Sequence, residues 1–202
     1  MSTDFFDRAA ATWDCSPDRQ RRTEAFRDAV AAAVPLDASW HVLEYGCGTA
    51  SLSVALAGSV GRVVAVDSAE GMVSEVRRKL QTFGLDRVTA RCLDLTAGDR
   101  LAERFDLVVC VMALHHITDI DRLFRAFAGV LVSGGWLCLG DLRSEDGSFH
   151  PTMAVPHNGF EPRDLDGRLR KAGFVEGAVS DVAPIRREHR EYPVFMLSAR
   201  CP

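Results

Sequence analysis

Two glycines, Gly46 and Gly48, follow a short apolar run and precede a segment of small residues. A second apolar run, about 20 residues further along the chain, ends in the carboxylate Asp67. Glycines let the backbone approach a ligand closely, and the N-terminus of a following helix presents free N–H groups. A carboxylate at the end of the next strand can accept hydrogen bonds from both hydroxyls of a ribose. The spacing therefore predicts a strand, a glycine turn and a helix that together bind a nucleoside.

The kind of nucleoside depends on the rest of the turn. A dinucleotide fingerprint needs Gly or Ala at the third position, where this chain has Ser51, and no phosphate-binding P-loop sequence occurs. Glu44-x-Gly46-x-Gly48, with a carboxylate ending the next strand, instead resembles the first two motifs of the class I S-adenosylmethionine-dependent methyltransferases. That family often has a third glycine where this chain has Ala50. The resemblance implies S-adenosylmethionine as the cofactor, with its methionine end at the turn.

The resemblance also implies cofactor contacts at the carboxyl ends of the predicted strands. Asp67 would bind the ribose and Met72 would pack on the adenine. Asp94 would accept from the adenine amino group, next to the backbone of Leu95. Sheet geometry selects the same edge without any family, because ligands of open α/β sheets lie where the strand order reverses. The implied cofactor residues are Glu44, Tyr45, Gly46, Cys47, Gly48, Asp67, Ser68, Met72, Asp94, Leu95 and Val111.

Each of these contacts has a structural alternative. Asp67 and Asp94 can be cap or turn residues at strand ends, since Asp is common there for local reasons. Met72 can be an ordinary core residue, because methionine at helical spacing often fills a core.

Two adjacent histidines, His115 and His116, follow the predicted fourth strand, where the family commonly places groups that face the sulfonium and the acceptor. Neighbours on a loop point apart, so at most one is expected to face the site. His116 is the first catalytic candidate and His115 the second, because a neutral imidazole can accept a proton from an acceptor hydroxyl. The alternative is that His116 is buried against the next helix and stabilises the fold. No metal site is expected, since adjacent histidines do not easily chelate one ion.

Two segments are candidates for contacts with the substrate. Residues 1–17 carry aromatic side chains, among them Trp13, and residues 141–160 form a long stretch without periodicity that contains His150. A long loop suits a lid that closes over a small substrate, although a plain surface histidine is an equal alternative. We therefore predict that Trp13 and His150 contact the substrate.

Strand and helix patterns alternate from residue 42 to about 174, which indicates right-handed crossovers and a parallel sheet. Two final strands, 175–182 and 194–199, have no helix between them and should pair antiparallel. The predicted fold is α/β: a doubly wound, seven-stranded, mostly parallel sheet of the Rossmann-like type with one antiparallel strand near the C-terminus. It forms one domain, 1–202, in which residues 1–35 are an N-terminal arm and helix over the active site and residues 36–202 are the Rossmann-like core.

Several element boundaries also follow from local signals. Ser68 is expected to cap a helix that Gly84 closes. Thr118-x-x-Asp121 resembles a capping box at the start of the next helix. The fifth strand is expected over 136–140.

Composition limits the partners of this chain. Its 202 residues are 47% hydrophobic and 26% charged, as in one ordinary globular domain. The net charge of −4 argues against a nucleic acid partner, and the cluster Arg19, Arg21 and Arg22 is expected on a solvated helix face. The six scattered cysteines form no C-x-x-C motif, which predicts reduced, mostly buried thiols. Without a signal peptide or a membrane-spanning run, a cytoplasmic location and no membrane association are expected.

Together the residues and the resemblance predict an enzyme that methylates a small-molecule acceptor with S-adenosylmethionine. Met112–His115 stand where amino-group methylases of nucleobases carry an Asn/Asp-Pro-Pro-aromatic run, which favours a small acceptor. Methylation of a protein or an RNA, and a catalytically inactive S-adenosylmethionine-binding protein, remain alternatives. A nicotinamide-dependent oxidoreductase is disfavoured by Ser51. The acceptor, the attacking atom and the oligomeric state are left open.

Overall fold

The computed structural model describes residues 3–187 and 190–202. These residues form seven strands: β1 (His41–Tyr45), β2 (Arg62–Asp67), β3 (Val88–Cys92), β4 (Phe105–Val111), β5 (Leu131–Leu142), β6 (Val175–Arg187) and β7 (Arg190–Arg200). They also form six α-helices: α1 (Asp4–Ala9), α2 (Pro17–Ala33), α3 (Ser51–Leu56), α4 (Glu70–Phe83), α5 (Ile120–Val130) and α6 (Pro162–Lys171). Two 3₁₀ segments, Ala10–Cys15 and Leu114–His116, follow α1 and β4.

The strands lie in one sheet in the order β3-β2-β1-β4-β5-β7-β6. Every pair from β3 to β5 is parallel, and β7 is antiparallel to both β5 and β6. From β1 the chain adds β2 and β3 toward one edge of the sheet. It then crosses back to place β4 on the other side of β1, and the later strands extend the sheet toward the opposite edge. The strand order therefore reverses between β1 and β4, which is where such sheets bind ligands. This topology confirms the predicted doubly wound sheet with one antiparallel strand.

Side chains of the central strands alternate between two apolar clusters on opposite faces of the sheet. In β4, Leu107 and Val109 belong to the cluster that contains residues of α2, α3 and α4, whereas Val108 and Cys110 belong to the cluster with α5 and α6. A strand that is buried on both faces has a nearly continuous apolar sequence, as 105–111 does with Asp106 as its single polar residue. Because both faces are packed, the strand ends are held in place, and so are the starts of the loops that follow them.

Two glycines allow the N-terminal segment and α2 to lie close to the core. A Cβ at Gly140 of β5 would come within 2.5 Å of the Phe26 ring, so the glycine lets α2 lie against the sheet. The Gly71 N–H donates to Asp7 Oδ1 at 2.7 Å, and a Cβ at Gly71 would lie 2.7 Å from the Asp7 Cα atom. Residues 1 and 2 of the predicted arm lie outside the described residues.

The helix starts differ from the expected caps. Ala69, not Ser68, is the N-cap of α4, and its N–H donates to Asp67 Oδ1 at 2.9 Å. Asp119, not Thr118, caps α5 by accepting from the Arg122 N–H at 2.9 Å. In both places an aspartate provides the acceptor, since its short carboxylate reaches the N–H groups that a helix leaves unpaired. The left-handed Gly84 does close α4, as predicted.

The C-terminal strands are longer than expected. β5 starts at Leu131 rather than at Trp136, because Leu131 pairs with Phe105 across an irregularity in the β4–β5 register. β6 and β7 continue to Arg187 and Arg190, where they pair only with each other. Such extensions depend on cross-strand pairing, which a single run of residues does not reveal.

All six cysteines are free, as the absence of C-x-x-C predicts. Among residues 3–187 and 190–202, no helix has the length and apolar character needed to cross a membrane. The expected cytoplasmic location stays a prediction.

Candidate active site

A cavity of about 360 Å³ lies at the carboxyl ends of β1 and β4, where the strand order reverses. Ten of the eleven predicted cofactor residues line it: Glu44, Tyr45, Gly46, Cys47, Gly48, Asp67, Ser68, Met72, Asp94 and Val111. The exception is Leu95, which is buried in the apolar cluster beneath α5. Trp13 and His116 also line the cavity, whereas His115 and His150 lie behind its wall.

The glycine turn has the backbone geometry that its sequence suggests. Gly46 and Gly48 have φ values of +71° and +52°, in the left-handed region that favours glycine. A Cβ at Gly46 would also lie 2.4 Å from the Ala113 Cβ atom. Ala50 adopts the same region, with φ 58°, and an alanine there is strained by about 1 kcal/mol or more. The strain gives a physical reason why a glycine suits this third position.

Glu44 is buried and anchors the helix that follows the turn. Its Oε2 atom accepts from the Ser53 N–H at 2.8 Å and from the Ser53 hydroxyl. Burial raises the pKa of Glu44 to about 7, against the hydrogen bonds from Ser53, which lower it. The carboxyl group therefore titrates near neutral pH at the edge of the cavity.

Asp67 connects the turn to the next helix. Its Oδ2 atom accepts from the Gly48 N–H at 2.8 Å, and Oδ1 accepts from the Ala69 N–H at 2.9 Å. Burial raises the pKa of Asp67, and the two backbone hydrogen bonds oppose that shift. Each carboxylate oxygen can accept more than one hydrogen bond, so Asp67 can hold the turn and still bind a hydroxyl in the cavity.

Asp94 lies at the end of the next strand along the sheet. Its Oδ1 atom accepts from the Tyr45 hydroxyl at 3.0 Å and from the Thr96 N–H and hydroxyl, both at 2.7 Å. Burial, which raises its pKa, is outweighed by the Thr96 and Tyr45 hydrogen bonds, so the pKa is lowered. Asp94 is therefore a fixed, ionised acceptor.

The N-terminal segment covers the turn through Asp14. The Asp14 carboxylate accepts from the Thr49 hydroxyl at 2.6 Å and from the Ser51 hydroxyl at 3.2 Å, and it pairs with Lys79 of α4. Trp13 then lies beside the turn, where a Cβ at Gly48 would be 3.6 Å from its Nε1 atom. The segment is thus held over one side of the cavity.

His115 is fixed by a buried carboxylate of β5. Its Nδ1 atom lies 2.7 Å from Asp141 Oδ1, and its backbone N–H donates to Asp141 Oδ2 at 3.2 Å. The two side chains are 2% and 1% exposed. On the opposite side of the ring, His115 Nε2 lies 3.0 Å from His150 Nε2.

His116 is the member of the adjacent pair that lines the cavity. Its ring contacts that of Phe6 edge to face, with centroids 5.1 Å apart. Burial, then proximity to His115 and His150, lowers the pKa of His116 to about 2. The rings of His115 and His116 do not diverge as expected, because their centroids are only 4.1 Å apart.

His150 is directed away from the expected substrate position. The neighbouring Phe149 is buried and packs edge to face on Tyr192, with ring centroids 5.1 Å apart. With Phe149 fixed in this way, the side chain of His150 points toward His115 and does not line the cavity. Burial, with His115 and Arg187 nearby, lowers the pKa of His150 to about 4.

Arg19 and Arg22 line the cavity, which corrects the expectation of a solvated face for this cluster. They share a face of α2 with Phe26 at helical spacing, and Phe26 is buried on the sheet. Arg21 does point outward and pairs with Asp18. Arg19 lies over the Trp13 ring at 3.8 Å.

Within residues 3–187 and 190–202, Arg22 has no hydrogen bond or ion pair. Burial, then Arg19 and Arg187, lowers its pKa to about 10, so it stays protonated at pH 7. The cavity therefore has a positively charged side that faces no acid of the described chain at ion-pair distance.

Sequence reasoning did not identify Asp14, Asp141 or Arg22 as site residues. Asp141 was recognisable only as a carboxylate near the end of the fifth strand. The helical spacing of Arg19, Arg22 and Phe26 was a usable signal for the arginines, since Phe26 marks the buried face of α2.

A family model described as a methyltransferase domain matches residues 42–135. The ubiquinone biosynthesis O-methyltransferase of Hydrogenovibrio crunogenus is 28% identical over 169 residues, which are 74% of this chain and 68% of that protein. The O-methyltransferase cnsE of Penicillium expansum is 30% identical over 193 residues, which are 88% of this chain and 67% of that protein. The chain spans as little as 41% of the length of other curated relatives that it matches.

Among solved structures, a SAM-dependent methyltransferase from Aquifex aeolicus superimposes with a TM-score of 0.76. The two chains are 17% identical, and the superposition covers 100% of each. At this identity the likeness concerns the fold.

Proposed function

Because the chain belongs to the class I S-adenosylmethionine-dependent methyltransferases, we propose that it transfers a methyl group from this cofactor to an oxygen atom of a small molecule. The observation that carries the proposal is one cavity lined by two chemically different sets of residues. Strand-end carboxylates and the glycine turn form one set, and His116, Arg19 and Arg22 form the other. Cofactor and acceptor would therefore share a single space at the switch point of the sheet.

The donor set of the cavity fits the cofactor. Glu44, Asp67 and Asp94 follow one another across the ends of β1, β2 and β3, and S-adenosylmethionine carries a sulfonium, an ammonium group, ribose hydroxyls and an adenine amino group. The turn offers a close backbone approach, and Met72 offers an apolar wall. Asp67 would hold the ribose, Met72 and Asp94 the adenine, and Glu44–Gly48 the methionine end. When bound, the cofactor supplies a methyl group activated by positively charged sulfur.

The chain's own residues would align the acceptor and exclude water. Phe6 and Trp13 pack near the buried Met72 and close one side of the cavity. Asp14 holds this cover on the turn through Thr49 and Lys79. A covered cavity suits a small acceptor better than a protein or an RNA chain.

Three observations support an oxygen acceptor with a negative charge. The two relatives described above are O-methyltransferases by name. His116 places ring nitrogen atoms beside the cavity, where a hydroxyl must be bound and lose its proton. Arg22, which has no ion pair within residues 3–187 and 190–202, places a cation in the same cavity, and a carboxylate or a phosphate on the acceptor would neutralise it. The carboxylate of the cofactor is the competing partner for this cation.

Calorimetry with S-adenosylmethionine, S-adenosylhomocysteine, NAD and ATP is the first test, and we expect binding of the first two only. Methyl transfer is then assayed by mass spectrometry on hydroxylated aromatic acids, their methyl esters and matched amines. The proposal predicts a gain of one methyl group on hydroxyl compounds, with acids preferred over esters. Binding without transfer to any compound in a broad panel would favour the cofactor-binding protein without activity. Tight NAD binding with no response to S-adenosylmethionine would overturn the family assignment itself.

A further inference from the structure

Three histidines meet behind the wall of the cavity. His115 and His116 belong to the 3₁₀ turn after β4, and His150 belongs to the segment between β5 and α6. Each ring can offer one nitrogen atom such that all three atoms lie within 4.8 Å of one another. Two nitrogen ligands on one tetrahedral zinc ion lie about 3.3 Å apart, given zinc–nitrogen distances near 2.0–2.1 Å. His115 Nε2 and His150 Nε2, at 3.0 Å, are already close to this spacing.

The hydrogen bonds of Asp141 determine which nitrogen of His115 is available. Asp141 accepts from the backbone N–H groups of His115 at 3.2 Å and of Leu142 at 2.7 Å. Its carboxylate also faces His115 Nδ1 at 2.7 Å, so this nitrogen carries the hydrogen and donates. The Nε2 atom of His115 then has a bare lone pair, directed toward His150 Nε2 at 3.0 Å. A carboxylate behind a histidine is the usual arrangement for a metal ligand, because it sets the tautomer and the ring orientation.

His116 supplies a second observation that points to a ligand. Its Nδ1 atom is buried and has no hydrogen-bond partner among the described residues. Leaving a buried polar atom unpaired costs about 1–3 kcal/mol, so such atoms usually contact a water molecule or an ion. The orphan nitrogen belongs to the residue that lines the cavity and also joins the cluster.

We propose that His115, His116 and His150 bind a divalent transition-metal ion of the zinc type, with Asp141 as the carboxylate that orients His115. This proposal departs from the expectation of no metal site, because that expectation considered only the adjacent pair, whereas His150 comes from a distant segment of the chain. Imidazole ligands suit Zn²⁺, Co²⁺, Ni²⁺, Cu²⁺ and Fe²⁺, and not Mg²⁺ or Ca²⁺, which prefer oxygen. Three histidines leave a fourth position open, as in catalytic zinc sites.

The fourth position gives the ion a role that rests on the proposed function. Because His116 belongs both to the cluster and to the cavity wall, an ion held by the cluster would lie next to the cavity. A hydroxyl oxygen of the acceptor would bind there and lose its proton to water, because a metal-bound hydroxyl ionises more readily than a free one. The oxygen would then form its bond to the methyl carbon as the carbon–sulfur bond of the cofactor breaks. Arg22 and Arg187 lie near His150 and repel a bare cation, while Asp141 attracts it. An anionic fourth ligand would compensate the two arginines, so acceptor and metal should bind cooperatively.

Metal binding is tested on the full chain after dialysis against a chelator. Zn²⁺ is measured by elemental analysis after gel filtration, and Co²⁺ by its visible absorption, which is intense for four- or five-coordinate sites. We expect one ion per chain. His150→Gln and His116→Gln should each weaken binding at least 100-fold, and Asp141→Asn about 10- to 100-fold. His157→Gln is the matched control, since His157 lies in the same segment but its ring Nε2 faces the Ile117 carbonyl oxygen at 3.0 Å.

Far-UV circular dichroism and the melting temperature, both measured without metal, serve as the check that each variant is folded. Wild-type protein without saturable binding of one ion would overturn the proposal, as would equal metal affinity in His150→Gln, His116→Gln and wild type. Methyl transfer that persists in chelator-treated protein would leave the proposed function standing and overturn the role of the ion. Metal binding that depends on the three histidines in a protein that methylates nothing would retain the site and reject the methyltransferase activity.

Discussion

Glu44→Gln should change how the stability of the protein depends on pH. The carboxyl group is fully buried, and its pKa rises from an ordinary 4.5 to about 7. A glutamine keeps an oxygen that can accept from Ser53 but cannot ionise. Below neutral pH the wild type folds with this carboxyl group protonated. Above neutral pH it must bury a negative charge, which lowers the free energy of unfolding.

The sign follows from the direction of the shift. A carboxyl group whose pKa is higher in the folded protein stabilises it fully below pH 4.5, and this stabilisation is lost as the pH rises through about 7. The rise of the pKa from 4.5 to about 7 corresponds to roughly 3 kcal/mol, most of which is lost between about pH 5 and pH 8. Relative to wild type, Glu44→Gln should gain that amount over the same range.

Urea unfolding followed by circular dichroism, without cofactor, measures this difference at several pH values between about 5 and 8. Only the difference between variant and wild type matters, because other titrating groups cancel. Glu75→Gln is the control: the Arg78 hydrogen bond lowers the pKa of Glu75, so this residue stays ionised over the whole range. A difference between Glu44→Gln and wild type that does not change with pH would refute the buried, late-titrating carboxyl group.

Other residues of the site give three further predictions. Gly46→Ala should destabilise the protein by about 2–5 kcal/mol, because the positive φ strains an alanine and its Cβ would clash with Ala113 at 2.4 Å. Calorimetric melting measures this loss, and the control Gly58→Ala should show little change, since nothing lies within 4 Å of the added Cβ. Asp67→Asn should weaken binding of S-adenosylhomocysteine by about 2 kcal/mol, or roughly 30-fold; a lower melting temperature with unchanged affinity would limit Asp67 to holding the turn. Arg22→Gln should raise the KM of a carboxylate acceptor about 10-fold or more, whereas the control Arg21→Gln, at an exposed position, should not. If Arg22→Gln instead weakens binding of S-adenosylhomocysteine, Arg22 pairs with the carboxylate of the cofactor and not with the acceptor.

The sheet was predictable from the chain because its signals are local. Residues 105–111 form an apolar run interrupted only by Asp106, and a nearly continuous apolar run is typical of a strand that is buried on both faces. Gly84 closes α4 in the left-handed conformation that glycine adopts at low cost. The start of β5 and the ends of β6 and β7 were not predictable, because they are set by pairing with strands far away in the sequence.

The cofactor side of the cavity was also accessible from the sequence. Gly46 and Gly48 are separated by a single residue in the chain, and Asp67 ends the adjacent parallel strand, so their meeting needs only a strand–turn–helix unit. The side chain of Leu95 packs into the core beneath α5, and the expected contact of its backbone with the adenine stays a prediction. The roles of these residues in binding stay predictions.

Only the tertiary structure decided what lies on the acceptor side. Asp141 is 26 residues from His115 in the chain, and His150 is 35 residues from it. They meet because Val111 and Gly140 are partners in the β4–β5 register, so the residues that follow each strand emerge side by side. Arg22 faces the cavity because Phe26, one helical turn along α2, inserts against Gly140. The sequence alone determined a nucleoside-binding sheet through local backbone geometry, and packing between distant segments decided which charged and imidazole groups complete its cavity.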